Sequence, residues 1–180
     1  MGKAWTQFLF KLYDLGRFNP LGTPKGTITA IDITNRCNLR CKHCYFYAHD
    51  YEEKPELTDD EWIEKLESLK ETDFPFYQCS WVGGEPLLRK NLIKCGMKYF
   101  KSNLIVTNGT IELPNWLDVN FYISVDDTRE MHDIIRGKGI YDRIKKHANR
   151  PELKIFVSMV INKCTIRILN ILSKNGRTLV

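Results

Sequence analysis

The chain has no long apolar run. No stretch of about 18 apolar residues occurs, so no membrane-spanning helix is expected. The first 15 residues carry Lys3 and Lys11 in a broken apolar pattern that does not read as a signal peptide. Without an export signal, the 6 cysteines point to the reducing cytoplasm, where thiols serve as ligands or core fillers rather than disulfides. Strong charge is also missing. The 27 basic and 22 acidic residues leave a net charge of +5. The basic residues are spread along the chain, so no nucleic-acid footprint is expected. Histidine is scarce, with 4 isolated residues. No Ser/His/Asp set or carboxylate pair competes as a catalytic constellation. One further absence is local. Cys37, Cys41 and Cys44 stand close together, and no fourth cysteine lies near them. The next, Cys79, sits in an apolar run.

What is present reads as one globular domain of 180 residues, 43% hydrophobic and 27% charged. Trp5, Phe8, Leu9, Leu12 and Tyr13 fall at helical spacing. Gly16 to Gly26, with Pro20 and Pro24, reads as a loop. Residues 1–26 are thus expected to be an N-terminal helix and loop, and 27–180 the core domain. Strands are predicted at Thr27–Ile33, Phe76–Val82, Asn103–Thr107, Asn120–Val125 and Leu153–Ile161. Thr58 and Glu61 form a capping box ahead of the apolar face Trp62, Ile63, Leu66 and Leu69. Further helices are predicted over Leu88–Phe100, briefly around Leu113–Leu117, from Thr128, from Tyr141 and from Thr165. Such alternation predicts an α/β fold with a parallel sheet of right-handed units. At about 30 residues per unit, five βα units are near the limit. A closed eight-stranded barrel of about 250 residues is excluded. The expected architecture is a partial, open β/α barrel. Cys79, Cys95 and Cys164 read as buried small hydrophobes. An apolar edge on the fifth strand predicts an oligomer or poor solubility.

In open parallel sheets, ligands bind beyond the carboxyl ends of the strands. The cysteine loop, Gly83-Gly84-Glu85-Pro86, Asn108-Gly109 and Asp126 all fall at such ends. C-x₃-C-x₂-C on a short loop can turn three soft thiolates toward one point, which suits iron–sulfur, zinc or Cu(I). A closed zinc site takes four ligands, and a common [4Fe–4S] cluster takes four cysteines. Three thiolates therefore leave one iron open to a substrate or cofactor. The competing reading is a Cys₃His zinc knuckle using His43, in which that residue must reach round from between two ligands.

This loop after a first strand, with His43 before the last cysteine, resembles the radical S-adenosylmethionine (SAM) enzymes. The resemblance implies a [4Fe–4S] cluster on Cys37, Cys41 and Cys44. Its open iron chelates SAM and cleaves it to methionine and a 5′-deoxyadenosyl radical, which abstracts hydrogen from a substrate. Gly83-Gly84-Glu85-Pro86 resembles the family's GGE(P) turn, whose backbone meets the SAM amino group. A branched side chain at Gly84 is then expected to block SAM and spare the cluster. Read without the family, the same stretch is a tight turn at a helix start.

His43 and Tyr45 resemble positions facing the adenine. Ser124 and Asp126 resemble polar positions near the SAM ribose or carboxylate, although Asp127 stands where the family has Gly. Arg136-Gly137 resembles a segment whose Arg pairs with the SAM carboxylate. Thr107-Asn108-Gly109 resembles the family's third-strand end, and a plain Asn-Gly turn has equal physical support. The resemblance implies a peptide, cofactor-precursor or lipid substrate, and a reductant such as flavodoxin or ferredoxin. It also implies a core lacking the usual sixth unit and C-terminal extension. The remaining alternatives are a metal-binding structural or interaction domain and an inactive truncated paralogue.

Overall fold

The structure, a computed structural model, describes residues 27–47, 55–69 and 76–161. The helix and loop expected over 1–26, the helix from Thr165 and Cys164 lie outside the described residues. Among the described residues, five strands form one sheet: β1 (Thr27–Asp32), β2 (Phe76–Val82), β3 (Ser102–Thr107), β4 (Val119–Ser124) and β5 (Lys154–Ser158). They lie in chain order, β1-β2-β3-β4-β5, and every neighbouring pair is parallel. Each strand therefore returns beside its predecessor, the pattern that right-handed crossovers produce. Among the described residues the sheet is open, with β1 and β5 at its two edges.

The register carries the period-2 signal of a sheet covered on one face. Ile105 and Thr107 of β3, and Phe121 and Ile123 of β4, are buried. Ile105, Phe121 and Ile123 pack with Trp81 of β2 and with helix residues Leu66, Ile93 and Ile144 in one core. Helix α1 (Asp59–Ser68) starts at the expected capping box, with Thr58 and Glu61 bonded reciprocally. α2 (Lys90–Gly96), α3 (Arg129–Arg136) and α4 (Ile140–Ala148) follow. Among the described residues, no helix is long and apolar enough to cross a membrane.

Two helical expectations differ from the structure. The helix expected over Leu88–Phe100 is broken into a 3₁₀ turn (Pro86–Arg89), α2 and a second 3₁₀ turn (Met97–Tyr99). Arg89, at the first break, leaves helical geometry at φ −114° and ψ 35°. Its buried guanidinium donates to the Ile33 carbonyl at 3.0 Å and pairs with Asp59. Leu113–Leu117 forms irregular backbone and no helix. Pro114 cannot donate a backbone bond, and its carbonyl instead accepts from Trp116 N–H at 2.8 Å. Cys79 is fully buried, and burial pushes its thiol up to about 12. Cys95, expected to be buried, is exposed on α2.

Candidate functional site: a cysteine loop at the carboxyl ends of the strands

β1 runs into Ile33 and Thr34, both buried, and the cysteine loop begins there. Glu56 holds its entry. The carboxylate accepts from the Thr34 hydroxyl at 2.6 Å, Asn35 N–H at 2.5 Å and Arg36 N–H at 3.3 Å. Its second oxygen accepts from Arg36 Nε at 3.2 Å. Burial pushes the Glu56 carboxyl up, but these donors outweigh it and hold the group below its ordinary value. Further along, Arg40 Nη1 donates to the Cys37 and Leu39 carbonyls at 2.9 Å each, and its guanidinium lies over the Tyr47 ring. Cys44 N–H bonds the Cys41 carbonyl at 3.1 Å. All three thiols are half-buried and free.

The turn after β2 packs backbone to backbone against this loop. Gly84 N–H donates to the Thr34 carbonyl at 2.8 Å, and Glu85 N–H to the Arg36 carbonyl at 2.9 Å. Gly83 adopts φ +122°, where a side chain is strained. A Cβ on Gly84 would lie 2.2 Å from the Arg36 carbonyl oxygen, next to Cys37. The two glycines thus bring β2 into contact with the cluster loop, so a larger residue at Gly84 must displace the loop itself. This alters the expectation that such a change spares the cluster.

Glu85 faces inward and is fully buried. It accepts from Leu87 N–H at 3.0 Å, the Thr107 hydroxyl at 2.8 Å and Asn108 N–H at 2.8 Å. Burial raises its carboxyl above the ordinary value despite these donors. The residue ties the β2 turn to the end of β3. Asn108, placed by that tie, directs its amide at the cysteine loop: Nδ2 donates to Asn38 Oδ1 at 2.9 Å and lies 3.8 Å from Cys37 Sγ.

Asp126, just past β4 and fully buried, gathers the other side of the site. Arg136 grips it in a two-point fork, Nε to Oδ2 at 2.6 Å and Nη2 to Oδ1 at 3.1 Å. His43 Nε2 lies 3.4 Å from Asp126 Oδ2, and Val160 N–H donates to Oδ1 at 3.4 Å. Burial pushes the Asp126 carboxyl up, and Arg136 more than reverses this, holding it below the ordinary value. Burial holds the His43 imidazole below its ordinary value, with Arg136 adding to that and Asp126 opposing it. His43 Nδ1 is buried without a partner among the described residues. The cysteine loop also docks on α3 directly, Lys42 N–H to the Ile135 carbonyl at 3.0 Å.

Cys37, Cys41, Cys44, His43, Gly83, Gly84, Glu85, Asn108, Asp126 and Arg136 are therefore one connected neighbourhood. Ser124 is half-buried at the end of β4, opposite Ser158 of β5. Tyr45 is 74% exposed, at the outer side of the loop. Glu56, Thr34, Asn38, Thr110 and Arg89 also belong to the construction, and the sequence reading singled out none of them for the site.

The donor set suits an iron–sulfur cluster. It consists of thiols, which are soft ligands. Burial raises the Cys37 and Cys41 thiols, with N–H donors from Leu39 and Asn108 easing Cys37 and the Arg136 charge easing Cys41. His43 faces Asp126, a poor position for the fourth ligand of a knuckle.

Comparison with known proteins agrees. The Radical SAM superfamily model matches residues 31–162. Fe-coproporphyrin III synthase of Methanosarcina barkeri is 31% identical over 157 residues, covering 79% of this chain and 39% of that protein. Pre-heme d1 synthase of Dinoroseobacter shibae is 34% identical over 133 residues, covering 68% of this chain and 32% of that protein. The chain thus spans less than half the length of either relative. In fold, it is similar to native anSMEcpe with bound AdoMet, at TM-score 0.65 and 19% identity, covering 82% of this chain and 47% of that one. It is also similar to Streptococcus suis SuiB bound to its precursor peptide SuiA, at TM-score 0.60 and 15% identity, covering 97% of this chain and 51% of that one. The family match runs through the cysteine loop and on through β2 to β5, the segments that build the site. The chain belongs to the Radical SAM superfamily, whose cofactors are a [4Fe–4S] cluster and S-adenosylmethionine.

Proposed function

We propose that this chain is the radical-generating core of an enzyme that modifies a cofactor precursor or a peptide. The observation that carries the reading is the half-buried thiol trio on the loop after β1, at the carboxyl ends of five parallel strands, with no fourth cysteine beside it among the described residues. When bound, the cluster supplies the electron that cleaves SAM to methionine and a 5′-deoxyadenosyl radical, so the cofactors carry the hard chemistry. The chain's own residues position and protect. Cys37, Cys41 and Cys44 hold the cluster. Glu56 and the Gly83-Gly84 turn fix the loop that presents them. Arg136 commits Nε and Nη2 to Asp126, which leaves the Nη1 end of its guanidinium to meet the SAM carboxylate. Asp126 aims that guanidinium, and His43 extends the same chain of contacts to the cysteine loop.

The relatives support the cofactor-precursor and peptide classes. Fe-coproporphyrin III synthase and pre-heme d1 synthase occur among them, as does an antilisterial bacteriocin subtilosin biosynthesis protein of Bacillus subtilis at 30% identity. Lipid remains the third class that the motif resemblance implies. A low-potential donor such as flavodoxin or ferredoxin would supply the electron. Anaerobic reconstitution with iron and sulfide, then reduction with SAM, tests the core reading. A brown protein that releases 5′-deoxyadenosine is expected. Bound zinc without visible absorption would favour a structural metal domain instead.

A further inference from the structure

The Asn108 amide is fixed from both ends. Its Oδ1 accepts from the Thr110 backbone N–H at 2.9 Å and from the Thr110 hydroxyl at 2.6 Å. A backbone N–H only donates, so this end of the amide is oxygen and Nδ2 faces the cysteine loop. There Nδ2 donates to Asn38 Oδ1 at 2.9 Å. Asn38 Nδ2 donates in turn to Thr110 Oγ1 at 2.8 Å. The three side chains close a ring in which every donor meets one acceptor: Asn108 to Asn38, Asn38 to Thr110, Thr110 to Asn108. Asn108 and Thr110 are both buried, where such a circuit strengthens and leaves little freedom.

One amide hydrogen of Asn108 remains outside the ring, and Nδ2 lies 3.8 Å from Cys37 Sγ. The same sulfur receives the Leu39 N–H at 3.4 Å. Among the described residues, Cys37 is the one site thiol with N–H donors directed at it.

We propose that Asn108, aimed by the Asn38–Thr110 ring, donates to the Cys37 ligand sulfur and raises the reduction potential of the cluster. This rests on the reading of the trio as a [4Fe–4S] site. Reducing such a centre adds one electron, with no bond made or broken. The added negative charge spreads onto the ligand sulfurs, and an N–H donor stabilises it there, so hydrogen bonds to sulfur set the potential. Asn38 and Thr110 are positioning residues, acting through Asn108.

The test is a redox titration of the reconstituted chain, followed by electron paramagnetic resonance, with iron content and SAM affinity measured alongside. Asn108→Leu removes the donor. Asn108→Asp keeps the shape and turns an acceptor toward the sulfur. Thr110→Val opens the ring and keeps the backbone bond to Oδ1. The potential is expected to shift negative in Asn108→Leu, further in Asn108→Asp and least in Thr110→Val, at equal iron content. If Asn108→Leu loses the cluster, the two shape-conserving variants decide. Unshifted potentials in the variants that keep the cluster overturn the proposal, and weaker SAM binding alongside them would place Asn108 against SAM instead. Loss of the cluster in all three also overturns it, showing structural support alone. A wild-type chain that forms no iron–sulfur chromophore overturns the site reading beneath it.

Discussion

Glu56 illustrates how one exposed-looking carboxylate can govern a metal loop from outside it. It gathers four donors from three consecutive residues, Thr34 to Arg36, immediately ahead of Cys37. A hydrogen bond to a charged group contributes about 1.5–3 kcal/mol net, and the exposed Arg36 contacts add little to this, so Glu56→Ala should destabilise the loop by at least about 2 kcal/mol. Iron retained after reconstitution, compared with wild type, measures this. The pH dependence has a definite sign. The folded-state pKa lies below the ordinary carboxylate value. The stabilisation is therefore complete above the unfolded value and is lost as pH falls through the folded one. Acid release of iron should begin at higher pH in Glu56→Gln than in wild type, since the amide lacks the charge at every pH. Gly84 carries a second prediction. Its Cβ would meet the Arg36 carbonyl, which is backbone and cannot swing aside. Gly84→Val should cost on the order of 3 kcal/mol and reduce iron content as well as SAM binding, readable by iron assay and by calorimetry. The cysteines and the glycine turn were legible because their chemistry is local: three thiols at short spacing, two glycines at a strand end. Glu56, Asn38 and Thr110 were not. Glu56 and Asn38 act across 20 residues or more of separation, and Thr110, two residues from Asn108, reads locally as an ordinary turn residue until Asn38 arrives from 72 residues away.

At the scale of elements, periodicity was the reliable guide wherever one face is buried. β3 and β4 alternate buried and half-buried residues without a fault, and their places were readable to within a residue or so. α1 was readable from its cap. Thr58 accepts from Glu61 N–H at 3.3 Å, and Glu61 Oε2 accepts from Thr58 N–H at 2.7 Å. Thr58→Ala should cost about 1 kcal/mol, seen as a lower urea midpoint with an unchanged slope. Because α1 supplies Asp59 to Arg89, and Arg89 bonds the Ile33 carbonyl before the cysteine loop, the cap contributes indirectly to the site. The broken helix after the GGE turn was not readable. Gly96 lets the chain pass against Trp81, where a Cβ would lie 2.6 Å from the indole. That approach depends on the partner strand, and no helical pattern within the segment reports it. The short stretch at Leu113–Leu117 failed for a different reason. Its apolar residues suggested a helix, and burial of Leu113 in irregular backbone explains them equally well.

At the scale of the whole molecule, the topology places the described segments of the candidate site at one end of the sheet. Strands in simple chain order and all parallel deliver the cysteine loop, the GGE turn, Asn108 and Asp126 to the same carboxyl-end rim. The contacts that then join them are between loops: β1's loop to β2's turn, β2's turn to β3's end, β1's loop to β4's end and α3. A ligand held by the cysteine loop is thereby mechanically linked to four of the five strands. Cluster binding should accordingly stabilise the domain as a unit rather than only the loop. A ligand at 100 times its dissociation constant adds about 2.7 kcal/mol, and each kcal/mol raises Tm by about 2–4 °C for a chain of this size. Anaerobic reconstitution is therefore expected to raise Tm by roughly 5–10 °C, in a single transition seen alike by far-UV circular dichroism and by tryptophan fluorescence from buried Trp81. The Cys37→Ala/Cys41→Ala/Cys44→Ala variant should show no such rise and should melt close to the unreconstituted wild type, because the three thiols are only half-buried. A rise confined to one probe would mean that the cluster orders its loop without engaging the sheet. In that case the loop-to-strand bonds of Gly84, Glu85 and Asp126 would not transmit its binding energy.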